Sequence, residues 1–276
     1  MKLKRVLKKL LLSIPYFKFY FLRKELKYFK RHKFSEAELI YVFFKYFQKD
    51  KVMMDVGAHY GETFAPYEKN GWKIYAFEPD PANRKRIKPQ SQNTEVFDVA
   101  VTEKGGEELT LYTSNESTGI SSLTSFHHTH QPSVKVKTKN LESFCREKNI
   151  HKIDFLKIDT EGFDLFVLKG FPWQEIKPLV ILCEFEDNKT KSLGYSCEDL
   201  GNYLRSQGYK VFISEWEPIV KYGVVHTWKM INSFPLQKLS NTNGWGNFIA
   251  IRSDFPYPFE PLIKDYLSSI DINHPL

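Results

Sequence analysis

Cysteine is scarce in this chain. Cys145, Cys183 and Cys197 make an odd count with no Cys-x-x-Cys pair. That pattern excludes a disulfide framework and a zinc ribbon, and three reduced thiols lead us to expect a cytoplasmic protein. Long apolar runs are missing too, since nothing approaches the roughly 18–20 residues that span a bilayer. Leu10-Leu11-Leu12 runs straight into Ser13-Ile14-Pro15 with no small-residue cleavage site, so it does not read as a secretory signal. Internal repeats are lacking. Acid is nearly absent from the N-terminus, where residues 1–33 hold 12 Lys or Arg against the single acid Glu25. The remainder carries a balance of −4, so the net +7 averages a basic arm with a mildly acidic body. A basic nucleic-acid-binding body would not look like this.

The arm has a pattern. Leu3, Val6, Leu7, Leu10, Leu11 and Ile14 step by three and four among lysines, which predicts a basic amphipathic helix stopped by Pro15. The aromatic segment Tyr16–Leu22 follows. Such a helix suits an anionic membrane surface, through residues 1–33; the plain alternative packs it on the domain with its lysines solvated. Ser35 with Glu38 three residues on predicts a capping box opening a helix over about 35–48.

From Lys51 short apolar runs alternate with helical stretches. Strands are expected at Val52–Val56, Lys73–Phe77, Val96–Val101, Phe155–Ile158, Leu179–Phe185, Lys210–Ser214 and Asn247–Ile251. Helices are expected near 62–70, 80–88, 141–148, 163–169 and 197–207. This is the signature of an α/β fold, a doubly wound Rossmann-like sheet of seven mostly parallel strands. Two further β segments, Glu108–Thr113 and Val134–Thr138, flank a Ser/Thr/His-rich loop over 114–131. The last two strands are expected to pair antiparallel at the sheet edge. We divide the chain into an arm, 1–34, and a Rossmann-like domain, 35–276.

In such a sheet, ligands bind beyond the carboxyl ends of the strands. Gly57 lets backbone approach a ligand just after the first strand, and Gly61 precedes a helix whose N-terminus carries partial positive charge. Glu78 ends the second strand, where an acid holds a nucleoside ribose through two hydroxyls. A bare helix cap is the alternative for Glu78. The turn Gly57-Ala58-His59-Tyr60-Gly61 lacks Gly-x-Gly, and Asp55 before it would repel a pyrophosphate. Both features favour the cationic methyl donor S-adenosylmethionine over a nicotinamide dinucleotide.

The chain resembles the FkbM-type methyltransferases. Asp55–Glu62, Phe77–Asp80, Asp98–Val101 and Phe155–Gly162 carry the likeness, in that order, and Lys157-Ile158-Asp159-Thr160-Glu161-Gly162 followed by Leu168-Lys169-Gly170 is its most specific part. Gly119–Leu123 and Gly246–Ala250 add to it, and coverage is about residues 50–252. The resemblance implies a class I methyltransferase that uses S-adenosylmethionine and methylates hydroxyls, often on saccharides or glycosylated and lipid-linked products. It implies that Asp55, Gly57 and Gly61 surround the methionine part of the cofactor, with His59 and Glu62 in the same turn. Glu78 would hold the ribose, and Asp98, Val99 and Ala100 would border the adenine. Asp159 and Glu161 would face the methyl group. His59 stands where many members have Asn.

A hydroxyl acceptor needs a group to take its proton. Asp159, Glu161 and Glu184 are the candidates, with Lys157 to orient a carboxylate. Asp159 and Glu161, two apart, are expected on one face of a strand. Alternatively, Glu161 caps the next helix and Glu184 pairs with Lys157 or Arg205. His127, His128 and His130 lie in a polar loop without cysteine or fixed helical spacing, so we expect no metal there and read them as solvated or touching substrate. Two other functions stay open at this point: a nicotinamide-type oxidoreductase on the same fold, and a non-catalytic membrane module.

Overall fold

A computed structural model describes residues 11, 13–236, 238–241 and 243–270. The amphipathic helix expected over 1–14 therefore lies, apart from Leu11, Ser13 and Ile14, outside the described residues. In chain order the helices are α1 (Pro15–Tyr28), α2 (Glu36–Phe44), α3 (Ala65–Glu68), α4 (Pro81–Arg84), α5 (Leu141–Glu147), α6 (Asp164–Lys169), α7 (Asp187–Thr190), α8 (Cys197–Ser206) and α9 (Glu260–Leu267). The strands are β1 (Val52–Val56), β2 (Lys73–Phe77), β3 (Thr94–Phe97), β4 (Ala100–Val101), β5 (Glu108–Ser114), β6 (His130–Lys139), β7 (Phe155–Ile158), β8 (Val180–Glu186), β9 (Tyr209–Trp216), β10 (Trp228–Ser233) and β11 (Trp245–Arg252).

Residues 50–253 form one unit. Its main sheet has eight strands in the order β10-β9-β11-β8-β7-β1-β2-β3. β3, β2, β1, β7 and β8 run parallel, and β11 is antiparallel to both β8 and β9. The central strands are apolar on both faces, as parallel strands covered by helices must be. Met53, Met54, Phe155, Leu156, Val180 and Ile181 are fully buried. The sheet is mixed, with one strand more than the seven expected. That strand, β10, covers β9, so the antiparallel pair β9–β11 is internal to the sheet and not at its edge. Its sequence Trp-Lys-Met-Ile-Asn-Ser never alternates, and none of its side chains is buried, so it left no strand signal.

A second sheet, β4-β6-β5, stands apart from the first. The β5–β6 pairing extends to Ser114 and His130, which shortens the intervening loop to 115–129. That loop contains a 3-10 turn at Thr118–Ile120, and its Ser121 and Ser122 hydroxyls donate to Asp80 after β2 and to the Glu161 carbonyl after β7. The helix expected over 62–70 is only α3, entered through Pro66 after several turn residues. A single helical turn offers little macrodipole, so the ligand argument from a helix N-terminus after Gly61 does not hold.

The described residues of 1–49 and 254–276 form the other unit. The division expected at 34/35 runs through it. Arg31 is its hub: buried, it donates to Leu26 O (2.8 Å), Phe29 O (2.6 Å), Ser269 Oγ (2.8 Å) and Glu38 Oε1 (2.8 Å). Arg23 pairs with Asp265 on α9 at 2.5 Å. Ser35 does cap α2, accepting from the Glu38 N–H at 3.2 Å. The Glu38 carboxylate, expected to close the box, serves Arg31 and the Tyr266 hydroxyl (3.1 Å). Much of the aromatic excess is packed in this unit, where Phe43, Phe47, Phe255 and Phe259 meet edge to face.

Candidate active site

A cavity of about 330 Å³ opens beyond the carboxyl ends of β1, β2, β7 and β8. The register of the sheet puts Asp55 of β1 beside Lys157 of β7. Both are buried, with Nζ 3.1 Å from Asp55 Oδ1 and 3.5 Å from Asp159 Oδ2. Lys157 also donates to the Gly57 carbonyl at 2.5 Å. Asp55 is fully buried and does not line the cavity, so the cation it faces is Lys157. The pair anchors the turn that carries Gly57, where φ is +77° and a Cβ would lie 1.8 Å from the Asp159 carbonyl oxygen. Only glycine fits there.

His59, also in the left-handed region (φ 49°), turns its N–H onto Glu78 Oε2 at 2.7 Å, and the Asp80 N–H donates to Oε1 at 2.9 Å. Burial pushes the Glu78 carboxyl up to about 7. Asp80, not Glu78, caps α4, accepting from the Ala82 N–H. The His59 ring reaches Thr118 Oγ1 at 3.1 Å and lies 4.0 Å from Glu62, and its burial lowers the imidazole's pKa. Gly57, His59, Glu62, Glu78, Val99 and Ala100 all line the cavity. Gly61 does not, and Asp98 is exposed outside the lining. Ser121 and Ser122, from the stretch Gly119–Leu123 that carries part of the resemblance, line it too, as do Asn83 and Thr118, which the sequence did not single out. Asn83 is recognisable only once Pro81–Arg84 is seen to turn back over the cavity.

The other end of the cavity is charged. β7 stops at Ile158, and Glu161 sits at φ 54°, so Asp159 and Glu161 are not on one strand face as expected. They nevertheless converge with Glu184: one carboxylate oxygen of each lies within 4.8 Å of the others. Asp159 pairs with Lys157, while Glu161 and Glu184 share a partner that the sequence reading missed, Lys189. Its Nζ lies 2.5 Å from Glu161, 3.1 Å from Glu184 and 2.8 Å from Glu186. Glu184 thus pairs with neither Lys157 nor Arg205, and Glu161 pairs with Lys189 while α6 has Phe163 at its N-cap and no side-chain cap. Lys189 in Asp187-Asn188-Lys189-Thr190 looks like a solvated turn, yet it is 1 % exposed. The available signal was Glu184-x-Glu186 inside an apolar strand, since buried acids demand a cation.

Burial raises the Glu161 carboxyl to about 7, with Lys189 opposing the shift. It raises Glu184 further, well above the usual carboxylate range, helped by the neighbouring Glu161. Burial also lifts Asp164, which accepts from Thr160 Oγ1 at 3.0 Å, to about 6. Facing this cluster are Ile219, Tyr222, His226 and Trp245. Trp245 is held by its indole N–H on the Glu217 carbonyl (2.8 Å) and packs against Trp216 and His226 at 5.7 and 5.1 Å between ring centroids.

The lining fits S-adenosylmethionine. After accepting two backbone N–H groups, the Glu78 carboxylate keeps about half of its roughly four lone-pair positions for ribose hydroxyls. Asn83 Oδ1 is buried without a partner among the described residues. Fold and cavity define a class I S-adenosylmethionine-dependent methyltransferase. The chain belongs to the FkbM methyltransferase family, whose domain matches residues 55–211. With that, the nicotinamide and non-catalytic alternatives are set aside.

Solved structures similar to the chain include a precorrin-6y C5,15-methyltransferase from Geobacter metallireducens (15 % identity, 75 % of this chain and 83 % of that one, TM-score 0.36). A TehB-like methyltransferase from Corynebacterium glutamicum matches at 9 % identity over 79 % of this chain and 87 % of that one, TM-score 0.39. The magnesium protoporphyrin IX methyltransferase of Synechocystis matches at 8 % identity over 79 % and 81 %, TM-score 0.39. No curated protein matches the sequence.

Proposed function

We propose that the enzyme methylates a hydroxyl of a saccharide, free or carried on a glycosylated or lipid-linked product. The observation that supports this is the junction of the Glu161–Glu184–Lys189 cluster with the aromatic wall Tyr222, His226 and Trp245. Aromatic faces stack on the C–H faces of sugar rings, and carboxylates orient their hydroxyls by charge-assisted hydrogen bonds.

Bound S-adenosylmethionine supplies a methyl group on a sulfonium, a good leaving group. Glu78, Asn83, the Gly57 turn, Val99 and Ala100 would hold it. The chain's own work is alignment and proton removal, and alignment alone meets a large part of such a barrier. Glu161, near neutrality in its titration, takes the acceptor's proton. Glu184, whose protonated form burial favours, donates a hydrogen bond and fixes the acceptor's orientation. Lys189 positions both carboxylates. The direct test is incubation with the methyl donor and a panel of free and lipid-linked saccharides, with products mapped by mass and by methylation position. Transfer to amine or thiol acceptors in preference to every saccharide would overturn the reading.

A second reading concerns the arm. We propose that residues 1–33 bring the enzyme to an anionic, cytoplasmic membrane face. α1 exposes Tyr16, Tyr20 and Tyr28, with Lys24 over the Tyr20 ring and Lys27 over that of Tyr28. Each basic residue near such a surface contributes about 1 kcal/mol. No helix among the described residues is long and apolar enough to cross a membrane. Co-sedimentation with phosphatidylserine vesicles is expected for the full chain and should fall at least tenfold when the lysines of 1–33 are changed to Gln, with Arg23 and the buried Arg31 kept. Equal sedimentation of the two would end this proposal.

A further inference from the structure

The loop between β5 and β6 holds a cluster that methyl transfer does not use. Glu116, His127 and His128 each offer one ligand atom, and the three atoms lie within 4.8 Å of one another. Nothing in the sequence joins them, because Glu116 and the histidines stand at opposite ends of the loop. The structure brings those ends together: Ser114 of β5 pairs with His130 of β6.

The cluster is also supported from behind. His127 Nδ1 lies 2.7 Å from Thr129 Oγ1, and Thr129 Oγ1 lies 2.5 Å from Ser114 Oγ. The same Ser114 Oγ accepts from the Glu116 N–H at 3.0 Å. One buried serine thus fixes the backbone at Glu116 and, through Thr129, the ring of His127. This is how metal-ligating imidazoles are held: one ring nitrogen is bound by the protein, and the other is left for the ion. His130 takes no part, since its Nε2 bonds the Ile120 carbonyl at 2.9 Å.

We infer that Glu116, His127 and His128 bind a divalent transition-metal ion of the zinc type. Two imidazoles and a carboxylate are a zinc donor set, whereas magnesium and calcium take oxygen ligands. Bonds of about 2.0–2.2 Å require donor atoms about 3.4 Å apart, so the ligands close in by roughly 1 Å. Glu116 and His128 are exposed and free to rotate by that much. The fourth position stays open to water or to a substrate oxygen. The ion would also brace the active site. The His127 ring meets Tyr222 edge-on at 5.2 Å, and the same loop supplies Thr118, Ser121 and Ser122 to the cavity wall.

The test is calorimetric titration of ZnCl2 into the full-length, chelator-treated protein at neutral pH, with MgCl2 as the control. We expect one zinc equivalent with a Kd below about 10 µM and no response to magnesium. Substituting CoCl2 should give the intense visible absorption of a tetrahedral site. The double variant His127→Ala, His128→Ala should lose this equivalent, and Glu116→Gln should weaken it at least tenfold. Far-UV circular dichroism and a cooperative thermal transition matching those of the zinc-free wild type would show that both variants are folded. The inference is overturned if the wild type binds no zinc below about 100 µM. It is equally overturned if the double variant binds zinc as the wild type does.

Discussion

Glu161→Gln is expected to lower kcat by about 10²–10⁴, the usual worth of a positioned general base, while cofactor binding stays within twofold. Glu184→Gln should cost less than about tenfold, because a neutral amide resembles the protonated carboxyl that burial favours at this position. The pH dependence carries the same assignment. A carboxylic acid cannot accept a proton, so activity requires Glu161 ionised. As its carboxyl titrates at about 7, kcat/KM should fall tenfold per pH unit below that point and level off above it. An ordinary exposed glutamate would place the limb near 4.3. Equal losses in the two variants, or a limb near 4.3 in the wild type, would remove the assignment. Steady-state kinetics of the wild type and both variants from about pH 4 to 9 decides it.

Lys189→Met should be the most damaging single change to stability. It leaves Glu161, Glu184 and Glu186 buried around no cation, and breaking a buried pair from one side costs about 3–5 kcal/mol. In a chain of this size that lowers Tm by on the order of 10 °C at pH 8. The sign of the pH dependence follows from the carboxylates. Without Lys189 their folded-state pKa values rise further above the unfolded value. Between the unfolded and folded pKa values the native state holds protons that the unfolded state has lost, so stability falls as pH rises. The variant's deficit should therefore shrink between pH 8 and pH 5.5, as the cluster protonates in the fold. Thermal unfolding of both proteins at the two pH values measures this. A deficit independent of pH would mean that Lys189 contributes packing and not charge.

What the sequence disclosed divides along physical lines. The parallel core was legible because strands covered on both faces must be continuously apolar, and Val52–Val56 and Phe155–Ile158 read that way. Their exceptions, Asp55 and Lys157, stood out for the same reason, although only the register showed that they face each other. Glu78 was legible because it ends a strand in a βα unit. Lys189 was not, since a lysine in a polar turn looks solvated until β8 is seen to bury two acids beside it. The pairing of Asp159 with Glu161 was inferred from strand periodicity, which ceases to apply where β7 ends. β10 and the cluster of Glu116 with His127 and His128 depend on contacts between segments whose own patterns are weak.

The Asp55–Lys157 pair has a consequence for how the sheet assembles. Side chains alternate along a strand, so a slip of β7 against β1 by one residue would carry Lys157 to the opposite face. Two charges would then be buried apart, each without compensation. The hydrophobic residues around them, Met54, Leu156 and Ile158, discriminate weakly between neighbouring alignments, because they would be buried on either face. The ion pair therefore acts as a key for strand alignment. A chain that reaches the correct register has, by the same event, set the Gly57 turn on which the cofactor cavity depends.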